Sequence, residues 1–318
     1  MIDQEVTKPT ENYVNLDLSN QENVTAARIK NLALLSKNSI KQLNISNTYF
    51  NSSQILILSE NFLLKNVIHF DMSNNQLCNE GMTSFKNCKN MRSIESLDLS
   101  SNDIKDEGVK DLFNCTFLTN VKTLNLKDNV IVTLPNSEYI KKLAHLNLSQ
   151  NLLGEKGIKT LSDCTFLYNL QSLNLSGNFI NEEGFKYFSL CTFLTCLLNL
   201  DISKNEIGKS FNRLNKEPVG LKYMSECKFL MNLNCLNLSR NQIDDDGLKN
   251  LPKSDFLSNL NELDLSGNNI KEEGIKAFTD CTFLSNLTYL NLNSNSIGND
   301  GAYYLTKCDD FFTKSKFI

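Results

Sequence analysis

Leu97-Asp98-Leu99-Ser100-Ser101-Asn102 returns as Leu173-Asn174-Leu175-Ser176-Gly177-Asn178 and again as Leu263-Asp264-Leu265-Ser266-Gly267-Asn268. With the apolar residue before each, the pattern reads L-x-x-L-x-L-x-x-N. Its final Asn falls at 75, 102, 129, 151, 178, 205, 241, 268 and 295, and Gln21 and Thr48 hold the slot in two weaker leading copies. Of the ten spacings, eight are 27 residues, one is 22 and one is 36. Eleven copies in one register cannot arise by chance, and a fixed period of this length marks a stack of like units. Strand alternation sends the Leu pair of each copy to one face, where a single strand cannot bury it. Stacking neighbours buries the pairs in one continuous core.

The remainder of each unit is also periodic. A Gly stands six residues after the Asn (Gly81, Gly108, Gly157, Gly184, Gly247, Gly274, Gly301), before an apolar-periodic stretch expected to be helical. Phe117, Phe166, Phe193, Phe229, Phe256 and Phe283 recur farther on, and a stacked aromatic ladder beneath the helices is expected. This unit resembles the leucine-rich repeat family, in its ribonuclease-inhibitor-like class. The resemblance spans nearly the whole chain. It implies an α/β horseshoe solenoid of about 11 repeats, with a parallel sheet on the concave face and helices on the convex face, in a single domain over residues 1–318. Strands pack about 4.8 Å apart and helices roughly 10 Å apart, so the strands take the inner side of the curve.

Composition excludes several classes. The 318 residues are 41% hydrophobic and 21% charged, with 46 Asn and a net charge of -4. That charge argues against nucleic acid held by bulk positive potential. No apolar run is long enough to cross a bilayer, and the polar N-terminus has no signal-peptide core. The ten Cys follow the repeat: Cys88 and Cys115, Cys164 and Cys191, and Cys281 and Cys308 are each 27 apart, with Ser254 midway between Cys227 and Cys281. A Cys that recurs once per unit and alternates with Ser is a small packing residue. Neither disulfides nor a metal site is expected. Four N-x-S sequons, at Asn44, Asn147, Asn174 and Asn237, fall on strands where glycans would cover the sheet. Both features point to a reducing, cytoplasmic setting.

Two repeats are irregular. The short one, 129–151, lacks the Gly and the Cys, and an extended or tightly turned outer segment with a local change of curvature is expected. The long one carries its extra residues near 208–219, in the strand-to-helix loop. Lys209, Arg213 and Lys216 lie in this insertion, and Lys204 and Arg240 share the same edge. Together they form a basic loop-edge site suited to a carboxylate or phosphate. Residues 302–318 are either a cap or a truncated edge, and exposed solenoid ends would permit self-association.

The concave side chains follow from alternation. A central column of Asp or Asn runs from Asp17 to Asn291 and includes Asp71, Asp98, Asp201 and Asp264. The column before it holds His69, His145, Asn199, Glu262 and Tyr289; the column after it is mostly Ser, with Lys127 an exception. Ten strand steps span about 48 Å, long enough for a protein and too open for a small molecule. The acidic pairs before each Gly fit a helix N-terminus. His69 and His145, the only two His, stand about 14 Å apart by strand spacing and cannot share one proton relay or metal. No nucleophile elbow, phosphate loop or zinc signature is present.

The reading is a non-catalytic protein-interaction scaffold without a cofactor, binding a partner that carries a basic patch. The resemblance adds two expectations: an effector delivered by a bacterium into host cytosol or, alternatively, a GTPase regulator similar to Ran GTPase activators.

Overall fold

The computed structural model describes residues 13–36, 39–59, 62–88, 90–208, 221–307 and 316–317. The chain divides into two compact units, Met1–Asn151 and Leu152–Ile318. The division falls at the end of the short repeat.

In the first unit β1 (Tyr13–Asp17), β2 (Ser39–Asn44), β3 (His69–Asp71), β4 (Ser96–Asp98), β5 (Thr123–Asn125) and β6 (His145–Asn147) pair in chain order, all parallel. The register places Gln42, His69, Ser96, Thr123 and His145 in one row, and Asn44, Asp71, Asp98, Asn125 and Asn147 in the next. In the second unit β7 (Ser172–Asn174), β8 (Asn199–Asp201), β9 (Cys235–Asn237), β10 (Glu262–Asp264) and β11 (Tyr289–Asn291) do the same. Lys316–Phe317, β12, adds a short parallel strand to β11. The rows are the two columns expected from alternation. From β2 to β11 the residue between them is buried, as Leu97, Leu173 and Leu263 are.

Outer helices α1 (Ala26–Ser36), α2 (Ser52–Ser59), α3 (Cys78–Lys86), α4 (Asp106–Phe113), α5 (Gly154–Ser162), α6 (Glu182–Phe188), α7 (Asp245–Leu248), α8 (Glu272–Phe278) and α9 (Gly298–Leu305) cover the core on the other side. The repeated Gly lies within the first turn rather than before the helix. A Cβ on Gly108 would stand 2.7 Å from Asn79 Oδ1 and 2.8 Å from Ile104 Cγ2, so close packing on the preceding repeat requires Gly there. The acidic pairs form the first turns of α4, α6, α7 and α8, where they complement the helix dipole. The short repeat has no helix between β5 and β6. Asp106 of α4 holds it instead, accepting from Val132 N at 2.7 Å and Thr133 N at 3.0 Å. In the long repeat, Leu221–Glu226 is a 3-10 helix in place of an α-helix.

The slot Asn is the hinge pin of each turn. Asn205 Oδ1 accepts from Asn178 N and Ile180 N, and its Nδ2 donates to the carbonyls of Leu175, Ile202 and Ser203, with all five bonds between 2.8 and 3.0 Å. Asn241, which closes the long repeat, keeps its three donor bonds, but its buried Oδ1 has no partner. A second Asn ladder runs along the opposite edge. Asn120, Asn232, Asn259 and Asn286 donate to the carbonyls of Arg92, Thr195, Met231 and Ser258. Cys196 stands five residues after Cys191, the ladder's offset, and is exposed.

The residue before the slot is left-handed in every repeat, from Asn20 to Ser294, with φ between 51° and 68°. Such backbone costs an ordinary L-residue about 1–2 kcal/mol, least for Asn, Asp and Gly, which fill most of these positions. Lys204 and Arg240 are the exceptions with the longest side chains.

Nine described cysteines are free, and six of them are buried. Cys115, Cys164 and Cys227 set their Sγ on the carbonyl four residues back, at 3.3 to 3.5 Å. They are packing thiols, as expected. The recurring Phe meet the helix Phe, either of the preceding repeat, as in Phe85–Phe117 (5.2 Å) and Phe188–Phe229 (5.9 Å), or of the same repeat, as in Phe278–Phe283 (6.3 Å). Phe193 and Phe256 are only half-buried.

Candidate partner-binding face

The central Asp/Asn column has a structural duty in all eleven repeats. One Oδ accepts the N–H two residues on, as Asp71 does from Ser73 (2.9 Å), Asp201 from Ser203 (3.0 Å) and Asp264 from Ser266 (2.8 Å). The turn demands a short arm ending in an acceptor oxygen, which only Asp and Asn supply with that reach. Identity here is therefore set by the backbone, and only charge is free to vary. Asp98 and Asp264 spend the second oxygen on the neighbouring Asn125 and Asn291 amides.

The preceding column carries no such duty, and there the two units diverge. In the first unit His69, His145 and Lys127 are exposed near the half-buried Asp71 and Asp98. Glu95, at the foot of β4, meets Lys122 at 2.8 Å, and that hydrogen bond holds its carboxyl below the usual range. Anionic and cationic groups are intermixed on this face.

In the second unit Asn199, Asp201, Glu262, Asp264 and Tyr289 line one depression of about 270 Å³. The depression is smaller than the ~300–1,000 Å³ usual for a small-molecule pocket. It is of a size to receive side chains. Asp201, Glu262 and Asp264 make no ion pair among the described residues. Cys235 lies on the floor between Asn199 and Glu262, where burial, reinforced by the Glu262 carboxylate, pushes its thiol up to about 11. Five expected site residues thus converge, and Asp71, Asp98, His69, Lys127 and His145 belong to the first unit. Cys235, Asn237, Ser172 and Asn174, which the alternation places in the concave columns without singling them out, line it as well. The available signal was that Cys235 falls outside the 27-residue cysteine series, in a column otherwise polar.

Of the loop-edge residues, Lys204 and Arg240 are exposed at the C-terminal ends of β8 and β9, while Lys209, Arg213 and Lys216 lie outside the described residues. Among the described residues no three His, Cys, Asp or Glu converge as metal ligands, and no helix is long and apolar enough to cross a membrane.

Two leucine-rich repeat family profiles match the chain, one at residues 90–113, 229–251, 256–278 and 283–305, the other at residues 169–191. Among solved structures, an internalin (InlF) from Listeria monocytogenes is similar over 96% of this chain and 86% of its own, at 18% identity and a TM-score of 0.58. A chain of the mouse RP105/MD-1 complex is similar over 95% of this chain and 46% of its own, at 20% identity and a TM-score of 0.63. A chain of the TLR13–ssRNA13 complex follows at 21% identity, 86% and 38% coverage and a TM-score of 0.52. No curated protein matches by sequence. At these identities the likeness concerns the fold, and the repeat pattern, the ordered parallel strands and the family profiles agree: the chain is a leucine-rich repeat protein, folded as a leucine-rich repeat solenoid.

Proposed function

We propose that the chain is a non-catalytic protein-interaction scaffold, and that the β8–β11 face receives a basic side chain of its partner. One observation carries this reading: Asp201, Glu262 and Asp264 share a depression and make no ion pair among the described residues. An Arg or Lys entering it supplies the missing charge, and Tyr289 offers a ring beside it. Binding energy concentrates in a few such anchors. The expectation of one domain belongs with this proposal. So does a reducing compartment, supported by the free cysteines. An effector role on host proteins rests on the family resemblance alone.

The test is affinity capture with mass spectrometry, comparing the wild type with the combined Asp201→Asn, Glu262→Gln and Asp264→Asn variant. Asn keeps the turn acceptor, so the variant stays folded while losing charge. A partner lost by this variant and kept by Asp71→Asn/Asp98→Asn supports the reading. Equal capture by all three proteins refutes it.

A further inference from the structure

The second unit carries another group of residues that the fold does not explain. Gly177, Lys204, Arg240 and Gly267 occupy the left-handed position of four successive repeats, with φ of 68°, 53°, 55° and 65°. Backbone bonds place them side by side: Gly177 N donates to Ser203 O, Lys204 N to Ser239 O and Arg240 N to Ser266 O, at 2.8 to 3.0 Å. The slot suits small or short polar residues, and Ser101 and Ser294 fill it elsewhere. Here it bears two cations flanked by two glycines. Arg240 Cγ lies 2.9 Å from where a Gly267 Cβ would be, so the arginine arm extends over the glycine. Neither the Lys204 nor the Arg240 side chain has a hydrogen bond or ion pair among the described residues, and Glu206, two residues past Lys204, is itself engaged.

Phe179 stands beside them, two residues after Gly177. It too is left-handed, at φ 58°, in a slot that Asp103 and Gln242 fill in other repeats and that holds one other aromatic, Tyr49, in the first unit. A bulky aromatic is a poor choice for such backbone, and this one is 60% exposed. Leu152, 44% exposed, holds the same slot in the preceding repeat, next to Leu153, whose N–H donates to Asn178 Oδ1. Three left-handed residues that are neither Gly, Asn nor Asp (Phe179, Lys204 and Arg240) thus fall in one strip with Leu152, apolar at one end and cationic at the other. Strain retained at exposed positions suggests selection for something other than folding.

We propose that Leu152, Phe179, Lys204 and Arg240 form a docking strip for an extended acidic segment of a protein, with an apolar side chain on Phe179 and carboxylates on Lys204 and Arg240. It is separate from the acidic depression and selects the opposite charge. Among the described residues the strip holds two cations, fewer than the roughly six to ten phosphate contacts of a nucleic-acid binder and the roughly 4–8 Lys/Arg of a lipid-binding cluster. A peptide supplies both chemistries within a few residues.

The test is fluorescence anisotropy on the full chain, with a fluorescein-labelled nonapeptide in which glutamate pairs flank one phenylalanine. Variants borrow residues from equivalent slots of this chain, which keeps the turns intact. Lys204→Ser/Arg240→Ser should weaken binding at least tenfold and Phe179→Gln at least threefold, while Asp201→Asn/Glu262→Gln/Asp264→Asn leaves it within twofold. The strip and the depression are thus read by separate variants, so one can fail without the other. The proposal is overturned if the wild type does not bind the peptide, if a glutamine-for-glutamate peptide binds as tightly, or if the rim variants bind unchanged. It is also overturned if phosphatidylserine vesicles retain the protein through the same residues while the peptide does not compete.

Discussion

The sheet faces of the two units share one scaffold and differ in charge. Both are ruled by the same Asp/Asn column, whose oxygen is committed to the turn. In the first unit Asp71 and Asp98 share their face with His69, Lys127 and His145. In the second, Asp201, Glu262 and Asp264 line a depression and make no ion pair among the described residues, and the cations Lys204 and Arg240 stand on the rim. The difference shows where a repeat protein can vary. Positions bound to the turn change only between Asp and Asn, and specificity falls to the preceding column and the rim.

The largest expected effect probes the shared scaffold. Asn205→Ala removes five buried bonds and should cost about 3 kcal/mol in urea unfolding, on the order of several net hydrogen bonds. Asn241→Ala, whose Oδ1 has no partner, should cost about 1 kcal/mol less. Equal losses would break the claim that the long repeat is the weaker joint.

Next comes alkaline stability. Burial raises the folded-state thiol pKa of Cys115, Cys164, Cys191 and Cys227, that of Cys164 to about 12, against 9.0 for a free thiol. Folded thiols then stay protonated where unfolded ones ionise. Their contribution is complete below pH 9 and is lost as pH rises toward the folded values. Melting temperature should fall across that window, and replacing Cys164 and Cys191 by Ser, the residue found at 254, should flatten the fall. An unchanged slope would remove the thiols as its cause.

The charge contrast is sharpened by comparing Asp264→Asn with Asp264→Leu. The first keeps the acceptor for Ser266 N and gives up only the part-exposed bond from Asn291, so it should cost about 0.5 kcal/mol, the low end for one hydrogen bond. The second abolishes the acceptor for Ser266 N and should cost about 1 kcal/mol or more. Matching losses would mean that the column's identity is not set by the turn.

The smallest effect is kinetic. Among the described cysteines, exposed Cys196 should react first with a thiol reagent at pH 8, and Cys235, pushed up to about 11, should lag behind it. Glu262→Gln should speed Cys235, since the carboxylate is one cause of its raised value. Thiol mapping by mass spectrometry checks both.

Much of this was legible in the residues. The 27-residue spacing located every slot Asn, both concave rows, the packing thiols and the missing helix of the short repeat. Other features were not legible because they depend on contacts between repeats. The Gly in the first helical turn, the pairing of Phe85 with Phe117 and the second Asn ladder each involve residues about one period apart, which periodicity records without saying what touches what. The candidate face was half legible: Glu262 and Tyr289 stood out as departures from a common column, while Cys235 did not.

The sequence by itself determined the repeat, its parallel strands and which side chains share a face, because period and alternation are properties of a chain in order. Tertiary structure decided which of those side chains are free to act. Only the folded turn spends an Asp201 oxygen on Ser203 N–H, leaves the Lys204 and Arg240 side chains without a partner among the described residues, and holds Phe179 exposed on left-handed backbone. Hydrogen-bond satisfaction and burial belong to the three-dimensional neighbourhood, which no single repeat contains.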